Sequence, residues 1–410
     1  MRATTLLNNL LGINHTRIVA VTFGEDGVVA DVRPRTRTPV CSGCLRRVRQ
    51  VYDGRPRRWR HLDLGGAKLH LRATLRRVAC PRCGVTTELV PWAEPDSWFT
   101  HAFEQTVAYL AQSAPKTVVA EMMRVAWASV SGIIGRVVAR HRAEDPLEGL
   151  VHIGVDELSY RRHHEYVTVV VDHDRKAIVW AAPGKSAETL SGFFSQLGPE
   201  RSAKIRAVTM DMSAAYIKAV TEALPKARIV FDRFHVQRLA HDAVDAVRRS
   251  EVRTADGPGE RRALKRSRFA LQKNPWNLDD LEKGKLADIE ATNAPLYRAY
   301  LLKESLAETL DRRQPNVAGR LLDKWVTWAA GSALAPFEKL AKTITKYRDG
   351  IVAYVATGLS NGRTEGLNGK ARTITRRSFG MHSATSLIAM LYLCCSGLTL
   401  KPAHVTPCFH

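Results

Sequence analysis

Three acidic residues and four cysteines are the groups in this chain whose types and spacing could do chemistry. Asp156 closes the run IGVD and Asp211 closes AVTMD, two stretches that read as strands, while Glu365 lies in SNGRTEGLNGK, which reads as a polar helix. Hard divalent cations take oxygen ligands in near-octahedral geometry, so two-metal phosphodiester chemistry needs several carboxylates converging from rigid elements. Strand ends in one sheet, with a later helix packed across it, supply that rigidity. A single Asp at a strand end is ordinarily a turn or cap residue. It is the joint occurrence of two such Asp and a late helical Glu in a basic chain that points to a metal site. Glu157 neighbours Asp156 but points to the other side if the strand continues, and Asp172 and Asp174 fit a hairpin turn. Asn361, Asn368, Lys370 and Arg372 surround Glu365 with groups suited to phosphate or DNA contact. The segment Asp232-Arg233-Phe234-His235 admits a metal, a general base or a brace; as a brace, Asp232 and His235 would orient the metal ligands or position a DNA strand.

Cys41-Ser-Gly-Cys44 and Cys80-Pro-Arg-Cys83 each set two thiolates on a tight turn, and four thiolates close one tetrahedral structural zinc site. The 35 residues between the pairs exceed ordinary ribbon spacing, which predicts a long β-hairpin turning at Gly65-Gly66. Cys394, Cys395 and Cys408 lack such partners and fit the core or the tail. Between the pairs lie Arg57, Arg58, Arg60, Arg72, Arg76 and Arg77, among other basic residues and Trp59, against only Asp53 and Asp63. Charge runs are usually solvated faces, yet this density in a small unit favours a phosphate-binding surface.

The elements that must position these groups follow from pattern. Residues 1–95 read as a small β-rich zinc-binding, DNA-binding domain. Residues 96–148 hold three helices that suit a helix-turn-helix or an ordinary linker; in the former case VAWASVSGIIGRVVARH is the recognition helix, with Ser129 and Ser131 facing bases. From 149 to 235 the order is βββαβαβ, a mixed sheet with helices on its faces, which is the layout of an RNase H-like core. Residues 236–345 read as an all-helical insertion broken at Pro258, Pro275, Pro295 and Pro315. Residues 346–400 return to the core with Glu365, and 401–410 form a tail. The fold class is therefore multidomain α/β.

The 410 residues carry 62 Lys and Arg against 40 Asp and Glu, a formal charge of +22, which favours a polyanionic partner. Neither the start of the chain nor the apolar run Ser386 to Leu400 suits a signal peptide or a membrane span, so the sequence predicts a cytoplasmic protein without a membrane partner. The odd total of seven cysteines, four of them in C-x2-C pairs, favours metal over disulfides in that compartment.

From the paired cysteines through GVDE, TMDMSAAY, DRFHV and SNGRTEGLNGKARTITRRSFG, nearly the whole chain resembles bacterial insertion-sequence transposases of the ISL3 (ISL-three) family. The resemblance implies a zinc region, a helix-turn-helix and a DDE core in which Asp156, Asp211 and Glu365 hold two divalent ions, magnesium or manganese. It also implies binding to the terminal inverted repeats of an element, metal-dependent strand cleavage and strand transfer into target DNA, and a homo-oligomer, a dimer in the active complex, at the bacterial nucleoid. Two other readings stand beside it: a zinc-ribbon and helix-turn-helix regulator without catalysis, which leaves the acids unexplained, and an RNase H-like nuclease that cuts without joining.

Overall fold

The computed structural model describes residues 3–142, 145–161, 165–359, 362–377 and 383–403, with side chains except at 161, 362–365 and 368. A first unit comprises α1 (Ala3–Leu11) and the strands β1 (Thr16–Gly24), β2 (Gly27–Pro34), β3 (Val51–Leu64), β4 (Ala67–Cys80) and β5 (Gly84–Thr87). The sheet order is β1-β2-β4-β3, with β5 also paired to β4. Strands β3 and β4 form the long antiparallel hairpin that the sequence predicts, and Gly65 takes a φ of 61° at its tip, a backbone that glycine adopts without steric cost. Trp59 and Trp92 meet edge to face at 5.5 Å in its core, with Leu69 and Leu71 around them.

Helices α2 (His101–Ser113), α3 (Lys116–Met122) and α4 (Trp127–His141) follow. The axes of α3 and α4 differ by 99° across a short turn in which Arg124 takes a φ of 52°. A three- to four-residue turn at about that angle is the geometry of a helix-turn-helix.

The second sheet contains β6 (His152–Arg161), β7 (Glu165–Asp172), β8 (Ala177–Pro183), β9 (Ala207–Met210) and β10 (Arg228–Phe231), in the order β10-β9-β6-β7-β8. The first three strands run antiparallel, whereas β9 and β10 join parallel to β6 through crossovers containing α5 (Ala187–Leu197), α6 (Pro199–Ser202) and α7 (Ala214–Ala223). Ser186 caps α5 by accepting from the Thr189 amide, as its sequence suggests. In the β7–β8 turn the Asp172 carboxylate accepts from the amides of Asp174 and Arg175 at 2.8 and 3.2 Å.

Seven helices then run without a strand among the described residues: α8 (Arg233–Thr254), α9 (Pro258–Arg266), α10 (Arg268–Gln272), α11 (Asp280–Thr292), α12 (Ala294–Leu310), α13 (Pro315–Ala330) and α14 (Ala335–Thr357). Pro258, Pro295 and Pro315 each fall in the first turn of a helix, where the missing N–H costs nothing. The divisions expected at 235–236 and 345–346 fall inside α8 and α14; α14 packs on β10 within its own length, where Tyr347 and Gly350 meet Phe231. Last come α15 (Gly362–Arg377) and α16 (Ala384–Cys395).

Period-two alternation in the second sheet feeds two cores. Ile153, Val155, Val170, Val208 and Met210 pack with α5, α7 and the helical run, whereas Val167, Val169 and Val171 pack with α2, α4, α15 and α16. The three-helix unit thus shares its core with the second sheet. Cys394 and Cys395 are buried in that second core, and Cys408 lies outside the described residues. Among the described residues no single helix is long and apolar enough to cross a membrane.

Candidate active site and DNA interface

Cys41 and Cys44 sit on the turn before β3, Cys80 ends β4, and Cys83 lies in the turn to β5. Their four sulfurs all lie within 4.8 Å of one another, and Cys44 Sγ stands 3.6 Å from Cys80 Sγ. A tetrahedral zinc with bonds of about 2.3 Å spaces its sulfurs about 3.8 Å apart, so four sulfurs this close suit that ion. Backbone amides of Arg82 and Cys83 bring the Cys80 thiol down to about 7, whereas hydrogen bonding with Cys44 pushes Cys83 up to about 12. The cluster is the one group of three or more metal-ligating side chains that converges so closely among the described residues.

Asp156 occupies the middle of β6 rather than its end, because β6 continues to Arg161 against β7. Its pairing with β9, however, stops at Gly154 opposite Thr209, so Asp156 stands two residues past the last β6–β9 pair. Continuing that register sets Asp156 level with Asp211, which follows β9 directly and accepts from the Ser213 amide at 3.1 Å. The β9–β10 register, continued likewise, brings Asp232 level with both. Parallel neighbours in register project to one side.

Glu157 pairs across from Thr168, whose hydroxyl meets the buried Tyr216 hydroxyl of α7 at 2.9 Å, so it faces the opposite side of the sheet from Asp156. Burial, then Asp211, raise the Glu157 carboxyl above its ordinary range, while Lys185 opposes them. Helix α15 packs against β6 and carries Glu365 in its first turn; the Glu365 side chain lies outside the described residues. Asn361 lies outside them altogether, as does the side chain of Asn368, while Lys370 and Arg372 are exposed on α15. Asp232 is buried and caps α8 through the Phe234 amide at 3.3 Å, with His235 Nε2 at 4.0 Å from its Oδ2.

The hairpin arginines are more occupied than their composition suggests. Arg57 donates to the carbonyls of Pro95 and Ser97 and lies over the rings of Trp98 and Trp59. Arg60 is 7% exposed, pairs with Asp63 and donates to the His61 and Leu69 carbonyls. Arg72 pairs with Asp31, Arg76 with buried Glu88, and Arg77 with Asp53. Arg58 is half exposed and donates to Nδ1 of His70, whose pKa burial and then Arg58 hold down at about 4. Arg58, Lys68, Arg124 and the exposed Trp98 line a cleft of about 930 Å³ between the hairpin and the α3–α4 turn, with Glu25 and Asp26 also on its wall. Lys116, 7% exposed, donates to the Ser131 hydroxyl and lies 3.7 Å from the Trp127 ring centroid. Ser129 is half buried near the start of α4. Sequence reasoning passed over Lys116, which has no charge partner in its neighbourhood along the chain to mark it.

Three family profiles match the chain: an ISL3 transposase domain over residues 153–391, the helix-turn-helix domain of transposase family ISL3 over 88–138, and the zinc-finger of transposase IS204/IS1001/IS1096/IS1165 over 37–83. Transposases for insertion sequence element IS1557 in two strains of Mycobacterium tuberculosis are each 40% identical over 97% of this chain and 96% of their own. The transposase for insertion sequence element IS1001 of Bordetella parapertussis is 30% identical over 85% of this chain and 87% of its own. Zinc finger, helix-turn-helix and catalytic domain in this order define a DDE-type DNA transposase. Within that class the chain belongs to the ISL3 family. Membership implies divalent-metal chemistry and DNA as the partner, and the cysteine cluster suits zinc.

Proposed function

We propose that this transposase binds the terminal inverted repeats of its own element and that Asp156, Asp211 and Glu365 hold two magnesium or manganese ions for cleavage and joining. The observation that carries the assignment is the shared register of Asp156 and Asp211 on neighbouring strands, with the helix bearing Glu365 packed against β6. The strand order, with three antiparallel strands followed by two parallel crossovers, supports an RNase H-like core into which α8 to α14 are inserted. The bound ions would supply charge stabilisation for the entering and leaving oxygens at phosphorus. In the first displacement water forms a P–O bond and gives up a proton to solvent while the bond to the element's 3′-oxygen breaks and that oxygen takes up a proton; in the second that 3′-hydroxyl gives up its proton, forms a P–O bond to a target phosphate, and the target's 3′-oxygen leaves and is protonated. Each joining conserves the number of phosphodiester bonds, so no nucleotide cofactor is needed.

Asp232, with His235 beside it, braces the start of α8 and the loop after β9 rather than binding metal: it is buried and its carboxylate caps the helix. One zinc in the cysteine site holds the hairpin base together. Sequence is read by α4, with Ser129 near its start, while Arg58, Lys68 and Arg124 contact phosphates, as do Lys370 and Arg372 beside the active edge. Two copies bring both element ends together, acting at the chromosome in the bacterial cytoplasm. Incubating purified protein and Mg²⁺ with duplexes that carry the DNA bordering its coding sequence tests the function: breaks should map to the repeat ends, and joined products should follow. Breaks without joined products would favour the nuclease reading.

A further inference from the structure

The far end of α8 and the helices after it carry a basic surface that neither the zinc unit nor the catalytic edge uses. Residues 248–273 contain nine Arg and Lys against three Asp and Glu. Some of these cations are internally satisfied: Asp245 pairs with Arg248, Arg249 and Arg268, and Arg261 donates to the Ala255 carbonyl. Arg262, Lys265 and Arg266 on α9 are exposed and have no ion-pair partner among the described residues. Farther along the chain, Phe269 on α10 and Trp276 are 68% and 74% exposed. Exposed aromatic rings in a basic stretch suit packing against sugars or bases.

The placement fits one occupant. Helix α8 starts just after its cap Asp232, which stands level with the two proposed catalytic Asp, and its 22 residues reach about 33 Å. That is close to one turn of duplex DNA, about 10 base pairs. Phe234, Arg238, Arg249 and Arg253 are exposed along α8 at spacings that keep them on one face, leading from the catalytic edge toward α9. We infer that α8, α9 and α10 form a second duplex-DNA contact surface, which holds the phosphate backbone about one helical turn from the scissile phosphate. The surface carries no sequence information: its cations meet phosphates, and it keeps the duplex aligned with the active edge after the repeat has been recognised elsewhere.

This inference rests on the transposase reading, and one experiment separates them. Hydroxyl-radical footprints of the full chain are compared with those of Arg262→Ser/Lys265→Ser/Arg266→Ser, on a duplex containing the DNA that borders the coding sequence. Wild-type protein should protect the repeat and a patch about 10 base pairs from the cut position; the triple variant should lose the patch alone. Its log affinity should fall less steeply with log salt, by about 2 to 3 in slope. Charge-keeping Arg262→Lys/Arg266→Lys should restore both. Unchanged footprint and slope would overturn the surface, as would a change in sedimentation without a change in footprint, which would make it a protein interface. A wild-type protein that protects no repeat DNA would overturn the transposase reading and this surface together.

Discussion

The two proposed metal regions of this transposase are assembled in opposite ways. The cysteine cluster draws its four sulfurs from two tight turns joined by one hairpin, and they already stand within 4.8 Å of one another. The carboxylate edge draws Asp156, Asp211 and Glu365 from β6, the end of β9 and α15, with a helical run of more than a hundred residues intervening before the last. A site built on local turns is held by its ligand and its hairpin. A site spread across a sheet is held by the hydrophobic core on both faces of that sheet, so its ligands can be exchanged without loss of the fold. Metal loss should therefore be structural in the first region and chemical in the second.

The largest effect should come from the acids. Asp211→Ala and Glu365→Ala should each remove cleavage to below detection in gel-based mapping of strand breaks, while thermal melting and affinity for element ends stay close to wild type. Unfolding of either variant would erase the contrast. Next comes Cys41→Ser or Cys83→Ser: zinc content should fall from about one per chain to near zero, because three thiolates do not close the tetrahedral site. Elemental analysis and limited proteolysis should show loss of metal and exposure of the hairpin base, with residues from about 150 onward still protected. Zinc retained by either variant would break the four-ligand account.

The hairpin arginines sharpen the comparison at a smaller scale. Arg60→Ala should destabilise the protein by about 2 kcal/mol, because it removes the buried donor to the His61 and Leu69 carbonyls and one of the two arginines paired with Asp63. Arg58→Ala should leave stability nearly unchanged and weaken binding to all DNA alike; chemical melts and salt titrations separate the two. Acid should act on the same region. His61 is buried and donates to or accepts from the Thr100 hydroxyl at 2.8 Å, and burial followed by Arg60 brings its pKa down from 6.5 to about 4. A lowered folded value means that the unfolded chain binds more protons, so the stability contributed by neutral His61 is present above pH 6.5 and is lost as pH falls from 6.5 toward 4. His61→Gln should flatten that part of the stability profile, as seen by melting at a series of pH values.

Much of this was legible in the sequence where the determining pattern is local. Paired C-x2-C motifs and Gly65-Gly66 announce the zinc turns and the hairpin, and the Ser186 cap announces α5. Alternation in EYVTVVVD marks a strand, but only the sheet shows that its two faces feed different cores, one of them shared with the helix-turn-helix. Arginine partners were illegible for the same reason. Asp31, Glu88 and Asp53 lie 41, 12 and 24 residues from Arg72, Arg76 and Arg77, brought together by β-pairing that no spacing rule reports. Asp156 read as a strand end because it closes the run IGVD, although β7 carries the strand onward to Arg161 and only the pairing with β9 stops, at Gly154.

The smallest effect is expected at Ser131, where alanine removes the hydroxyl that receives the buried Lys116 ammonium, costing about 1 kcal/mol. Sequence preference, measured by binding to a panel of altered repeats, should move instead with Ser129→Ala.

The central claim, that the register-matched carboxylates are the metal-binding catalytic pair, is tested most directly by Asp156→Asn. The substitution keeps size and hydrogen bonding and removes the charge that holds a hard cation. With element-end duplexes and Mg²⁺, the variant should bind as wild type does and produce no strand breaks at the repeat ends. Cleavage at the wild-type rate by Asp156→Asn, with cleavage lost instead in Glu157→Gln or Asp232→Asn, would contradict the assignment.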